Sequence, residues 1–166
     1  MFLLSCLFES RHAFSVRSNS QLLQSLPQNR IPKEDAICAI DELEESLKKD
    51  QVDQNLILGS KWQLIFSSLL NDGYFPISEI CDFSDNKFSL ISFWKNIPLG
   101  SFEGESKVVS QKPLTIAFQN SFYSLGPFKF KVPPKPRSYK FILANEDIAV
   151  ARSLPSGGGT ILKRVK

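Results

Sequence analysis

Methionine occurs once, at the start, histidine once, as His12, and cysteine three times, as Cys6, Cys38 and Cys81, in a chain of 166 residues. The lone histidine stands near the N-terminus, so every catalytic scheme that needs a histidine base or ligand in the body of the chain is excluded. Three cysteines, an odd number without paired spacing, form neither a disulfide framework nor a zinc knuckle and read as ordinary thiols. No apolar run approaches the roughly 20 residues of a membrane-crossing helix. The net charge of +3 and pI near 8.8 come without a dense basic run, which gives no argument for nucleic acid.

Phenylalanine, by contrast, is abundant at 14 residues, and hydrophobic residues make up 42%, enough for the core of one domain. Residues 1–18 open with the apolar block Met1 to Phe8 and continue through Arg11, His12, Phe14, Arg17 and Ser18. An apolar block followed by an Arg/Ser-rich, acid-poor stretch reads as a targeting leader. The alternative is a disordered or partly helical N-terminus of the mature chain. His12-Ala13-Phe14-Ser15 is similar to the Ala-Phe junction of bipartite leaders that enter complex plastids.

Residues 19–56 read as helical. Leu22, Leu23 and Leu26 form a short helix stopped at Pro27. Pro32 suits a first helical turn, Glu34 and Asp35 suit its positive end, and Ala36, Ile40, Leu43 and Leu47 recur at the helical period beside Ile37. Lys48 and Lys49 suit the last turn. The polar face is acidic, which favours docking on the protein itself over a membrane surface, where such helices carry Lys and Arg.

Residues 57–166 read as strands. Trp62, Leu64 and Phe66 alternate with Gln63, Ile65 and Ser67 after a turn at Gly59. Asn71-Asp72-Gly73, Asp85-Asn86, Pro98-Leu99-Gly100, Lys112-Pro113, Gly126-Pro127, Pro133 to Pro136, Asn145 to Asp147 and Pro155 to Gly159 punctuate the rest. Eight or nine antiparallel strands at such spacing predict a sandwich or barrel, and about eight closed strands hold side chains or one small apolar ligand. Gly157 to Gly159 leads into a strand without a Gly-Lys-Ser/Thr ending, so it is a hairpin and not a phosphate loop.

Candidate ligand-contacting residues are Trp62, Phe66, Phe88, Phe118, Phe130 and Phe141, with Arg152. Trp62 has a second reading as the plug of a closed barrel end, and the phenylalanines as a solid core. Trp94 is a packing residue or stands at a barrel mouth. Arg152 is in phase with Ile148 and Val150. If these point inward, it pairs with Asp147 or Glu103, or meets a ligand's carboxylate or quinone oxygen. Lys129, Lys131, Lys135, Arg137 and Lys140 form a basic cluster, either a solvated face or an attraction for anionic headgroups. Glu103 and Glu105 share a strand side but nothing around them marks an acid/base pair, and no cofactor or metal is expected.

Several stretches resemble one family. Leu58-Gly59-x-x-Trp62-x-Leu64-Ile65-Phe66-Ser67-Ser68, Gly100-Ser-Phe-Glu-Gly104, Leu114-x-Ile116-x-Phe118, and Glu146-Asp147-Ile148-x-Val150-x-Arg152 followed by Ile161-Leu162-Lys163-Arg164 are similar to the plastid lipid-associated proteins, or fibrillins. Gly59, Trp62, Asp147 and Arg152 carry the motif. The closing block departs at Leu143-Ala144-Asn145 and at Ala149, where the family has a Tyr-Leu-Asp run and an Arg. The resemblance implies a lipocalin-like barrel in a plastid, at plastoglobules, thylakoid surfaces or in stroma. It implies apolar ligands such as prenylquinones, carotenoids or fatty acids, and no enzyme activity. The alternative is a non-catalytic module docking on a prenyl-lipid biosynthetic enzyme or a membrane.

Overall fold

The computed structural model describes residues 16–26, 28–47, 52–84 and 86–166. Most of the leader, with Cys6 and His12, and also Pro27, Lys48, Lys49 and Asp85, lie outside them. Three helices come first: α1 (Val16–Ser25), α2 (Lys33–Ser46) and the short α3 (Gln54–Ile57). Nine strands follow: β1 (Lys61–Ser67), β2 (Tyr74–Ser84), β3 (Lys87–Trp94), β4 (Ile97–Gln111), β5 (Leu114–Leu125), β6 (Phe128–Lys131), β7 (Pro136–Ala144), β8 (Ile148–Leu154) and β9 (Gly159–Arg164).

Neighbouring strands are antiparallel throughout and sequential except where β7 pairs with β5, and β9 returns to pair with β1, so the sheet closes as a meander. β6 and β7 share one edge of β5: β6 lies opposite Phe122 to Leu125 and β7 opposite Thr115 to Gln119. Eight strands therefore close the barrel, and β6 is an extra strand above it. Proline, which cannot donate to a ladder, fills the break between β6 and β7 as Pro133 and Pro134. β4 begins at Ile97 and runs through Pro98-Leu99-Gly100, which the sequence pattern reads as a break. Pro98 is tolerated there because it sits near the hairpin's tip, beyond β5.

The inside of the barrel is filled by one cluster that includes Trp62, Leu64, Cys81, Phe83, Phe88, Leu114, Ile116, Phe118, Phe141, Ala149, Ala151 and Leu162. A second cluster lies outside the sheet, where Leu23, Leu26, Ala36, Ala39, Ile40 and Leu43 of α1 and α2 cover Phe66, Tyr74, Ile148, Val150 and Ile161. β8 shows the consequence. Its alternate residues Ala149 and Ala151 face the interior and Ile148 and Val150 face the helices, so all four are buried. Burying each large side chain of this second layer contributes about 1.5–3 kcal/mol.

Phe66 belongs to that outer cluster and not to the interior. The register of β1 slips between Leu64 and Phe66 against both β2 and β9, which marks a bulge. One extra residue inverts the alternation beyond it. Phe66 then lies against Gly73, where an added Cβ would stand 2.3 Å from the ring.

Candidate binding site

The two ends of the barrel differ. The first is closed by α3, whose Asp53 caps it by accepting from the Asn55 N–H. Gly59, at φ +72°, turns the chain from α3 into β1, and its N–H bonds to the Phe83 carbonyl at 3.2 Å. The fully buried Trp62 donates its indole N–H to the Ile57 carbonyl at 3.2 Å, which ties the plug to the first strand.

Above Trp62 the barrel is packed with rings. Phe83 meets Phe118 at 5.6 Å, Phe88 at 5.4 Å, and Tyr139 and Phe141 at slightly longer range. Phe88 and Phe118 stand 4.6 Å apart, and Tyr139 lies 5.1 Å from Phe118. These rings form a floor. Over it, at the end carrying the β1–β2, β3–β4, β5–β6 and β8–β9 turns, lies a cleft of about 530 Å³. Leu64, Cys81, Phe88, Leu90, Phe118 and Tyr139 line its apolar depth, and Glu79, Asn120, Arg137 and Ser153 add polar groups.

The polar groups of the cleft are few and specific. Burial pushes the Tyr139 hydroxyl well above its ordinary value, and its side chain is hydrogen-bonded to buried Thr160. Burial likewise pushes the Cys81 thiol up. The Glu79 carboxyl is raised by burial, against the opposing effects of the Ser92 hydroxyl and the Arg137 charge. Asn120 Oδ1 is buried and accepts no hydrogen bond. An unpaired buried acceptor carries a desolvation penalty that a donor entering the cleft removes. Among the described residues no group of His, Cys, Asp and Glu could hold a metal ion.

Of the residues singled out from sequence, Phe88 and Phe118 line the cleft. Phe141 is buried in the floor beside Phe83, and Trp62 sits at the opposite, closed end. Phe66 is under the helices for the reason given above. Phe130 is 51% exposed on β6, outside the barrel, because β6 pairs only with the far end of β5. Trp94 is 52% exposed at the end of β3, at the cleft end of the barrel, and is not packed in the core.

Arg152 is also outside the cleft. It is in phase with Ile148 and Val150, but those face α2, and Arg152 meets α2 with them. Its Nε donates to Glu44 at 2.7 Å and its Nη2 pairs with Asp41. Lys140 of β7 pairs with Glu44 from the other side. Neither partner expected from sequence is used: Asp147 pairs with Lys166 at 3.1 Å, and Glu103 with Lys129 at 2.6 Å. Asp41 and Glu44, on the acidic face of α2, thus meet two cations on the barrel wall. Partial burial pushes Glu44 up, and hydrogen bonds from Lys140 and Arg152 with their charges more than reverse this, so its carboxyl sits below the ordinary value.

Among the residues of the site that the sequence reading did not single out are Phe83, Tyr139, Glu79 and Asn120. Phe83 carried a signal, because the turn at Asn86 pairs it with Phe88 and it is in phase with Cys81. Glu79 shares that phase and so points inward. No local pattern marks Asn120, which closes the run Leu114, Ile116, Phe118 as its one polar member.

No protein-family model, no curated protein and no solved structure matches this chain.

Proposed function

We propose that this protein is a non-catalytic carrier of small apolar molecules, held in the cleft at the open end of the barrel. The observation that carries the reading is the aromatic floor of Phe88, Phe118 and Tyr139 beneath a cleft of about 530 Å³, a volume suited to one ligand of modest size. The walls supply apolar area, which stabilises a bound hydrocarbon by about 25 cal/mol per Å² removed from water. Asn120 Oδ1 and Glu79 supply polar contacts near one end of such a molecule. Three titratable groups of the cleft, Cys81, Tyr139 and Glu79, are pushed toward their neutral forms by burial, which suits holding a ligand and not attacking it.

The resemblance of the first and last strands to plastid lipid-associated proteins supports a plastid setting, at plastoglobules, thylakoid surfaces or in stroma. It also supports prenylquinones, carotenoids or fatty acids as the ligands to try first. A module docking on a prenyl-lipid biosynthetic enzyme is the second reading, favoured by the exposed apolar side chains of β5 and β6. Leu90→Trp separates the two. It fills the cleft from its wall without touching the outer surface. Carriage predicts that an environment-sensitive fatty-acid probe binds the natural chain and is lost, by about tenfold or more, in Leu90→Trp. Equal binding by both proteins contradicts carriage in the cleft.

A further inference from the structure

Exposed apolar side chains are not scattered over this molecule. Trp94, Ile97 and Leu99 belong to the β3–β4 hairpin, and Leu125, Phe128 and Phe130 to the β5–β6 hairpin. Leu69 in the β1–β2 loop and Leu154 at the end of β8 are at the same end. Among the described large hydrophobics that are exposed, only Val109 and Val165 lie toward the other end and Phe122 faces outward from the flank of β5. Single exposed hydrophobics are ordinary, whereas an end face that gathers them marks an interaction surface.

The two hairpins are built alike. Trp94 pairs with Ile97 across a two-residue turn in which Lys95 and Asn96 have φ of 45° and 70°. Two successive positive φ values are those of the type I′ turn, which matches the twist of a hairpin and holds it closed. Leu125 pairs with Phe128 across Gly126-Pro127, with Gly126 at φ 55°. Each tip is thus a paired, two-residue turn flanked by two large apolar side chains. Its ladder groups are bonded to each other, so entry into a water-poor layer strips few of them of partners. Ser101 and Ser124 pair across β4 and β5, which brings the two tips side by side.

The surrounding charge is basic. Lys95 is in one turn, Lys129 and Lys131 are on β6, and Lys135 and Arg137 follow. Glu103 neutralises Lys129 in part, and Asp72 and Glu79 are near this end, as are Lys33, whose Nζ reaches the Leu70 carbonyl of the β1–β2 loop, and the Glu34 and Asp35 that follow it in α2. Lysine beside tryptophan and phenylalanine at one level is the composition of a protein surface seated at a lipid interface.

We propose that the open end of the barrel docks on an anionic lipid surface, with the β3–β4 and β5–β6 tips inserted at headgroup level and the cleft opening toward the lipid. The assignment rests on the tips and their charges and stands without the carrier reading. If both hold, the docked orientation lets an apolar ligand pass between lipid and cleft without crossing water. A second copy of the chain adding to the free edge of β6 is the competing occupant, and its four residues offer little ladder to add to.

The test uses the full chain and vesicles of phosphatidylcholine with or without phosphatidylglycerol, free of added ligand. Trp62 is fully buried and Trp94 is half exposed, so a change in tryptophan emission on docking reports Trp94. The expected result is co-sedimentation with the anionic vesicles, a blue shift, and quenching by brominated acyl chains, all weakened by raised salt. Phe128→Ser with Phe130→Ser, and Lys129→Glu with Lys131→Glu, should each lower partitioning by about tenfold or more. Val109→Ser, an exposed change at the other end, should leave it unaltered. These positions are exposed, so circular dichroism should show an intact fold in all variants. Binding without the Trp94 shift, or binding that survives the tip variants, overturns the proposal and points to another segment of the chain. Self-association through β6 with no vesicle binding also overturns it. Equal probe binding by the natural chain and Leu90→Trp, with vesicle binding by the tips intact, would overturn the carrier reading and leave docking standing.

Discussion

Phe83 meets more rings than any other side chain described, and its own surface is fully buried. Phe83→Ala should cost about 3–5 kcal/mol in denaturant unfolding, the upper range for deleting a buried ring whose neighbours cannot collapse into the space. Gly104 has a different constraint. A Cβ there would stand 1.7 Å from the Gln119 carbonyl oxygen, on backbone that cannot swing aside. Gly104→Ala should therefore open the β4–β5 pairing and lower the unfolding midpoint more than Gly59→Ala, whose Cβ meets nothing within 4 Å and costs only the positive φ, about 1–2 kcal/mol.

Glu79 allows a signed pH test at the same scale. Burial raises its value in the folded chain, so the folded state holds its proton to higher pH than the unfolded state does. The chain loses stability as pH climbs from the ordinary 4.5 through the raised value, and Glu79→Gln removes that loss. Thermal melts should show the variant above the natural chain at neutral pH and the gap closing below pH 4.5. A gap independent of pH would contradict a buried carboxyl. Residue by residue, the period-2 pattern carried well until a bulge intervened. Trp62 and Leu64 point inward together, but Phe66 does not, because nothing in Leu64-Ile65-Phe66 announces an extra residue.

At the scale of the element, α2 and the barrel wall are held by more than apolar contact. Arg152 and Lys140 converge on Glu44, and Arg152 also takes Asp41. Arg152→Ala should cost about 1–3 kcal/mol, since it removes charge-assisted bonds and leaves Glu44 half-buried with one partner fewer. Glu44 is lowered in the folded chain, so the stability it lends is complete above 4.5 and lost as pH falls through the lowered value. Protection of the α2 amides, measured against their intrinsic exchange rates at each pH, should accordingly fall on acidification below that point, and should do so less in Glu44→Gln. The amphipathic stripe of this helix was legible, as was its preference for the protein over a membrane. The partners of its acidic face were not. Asp41 and Glu44 lie more than a hundred residues from Arg152 in the chain, and whether β8 turns Ile148 inward or outward is decided by a second buried layer that strand alternation cannot reveal.

At the scale of the molecule, eight or nine antiparallel strands were readable because turn signals mark out most of them, but those signals left sandwich and barrel both open, and the barrel was what the family resemblance implied. The cleft was not readable. It depends on how far the ring floor rises, and on Asn120 and Glu79 arriving at one place from β5 and β2. The open end was half readable: Lys129, Lys131, Lys135 and Arg137 stood out as a basic group, but their junction with Trp94 and Phe128 comes from the pairing of β4 with β5. Lys140, taken with that group in sequence, is drawn away to Glu44.

The most direct test of the carrier reading is native mass spectrometry, with lipid extraction, of the full chain purified from its own source without detergent. The account predicts an added mass of one apolar small molecule per chain, absent from Leu90→Trp prepared in the same way. A clean apo mass for the natural chain, with no apolar molecule in the extract, would contradict it.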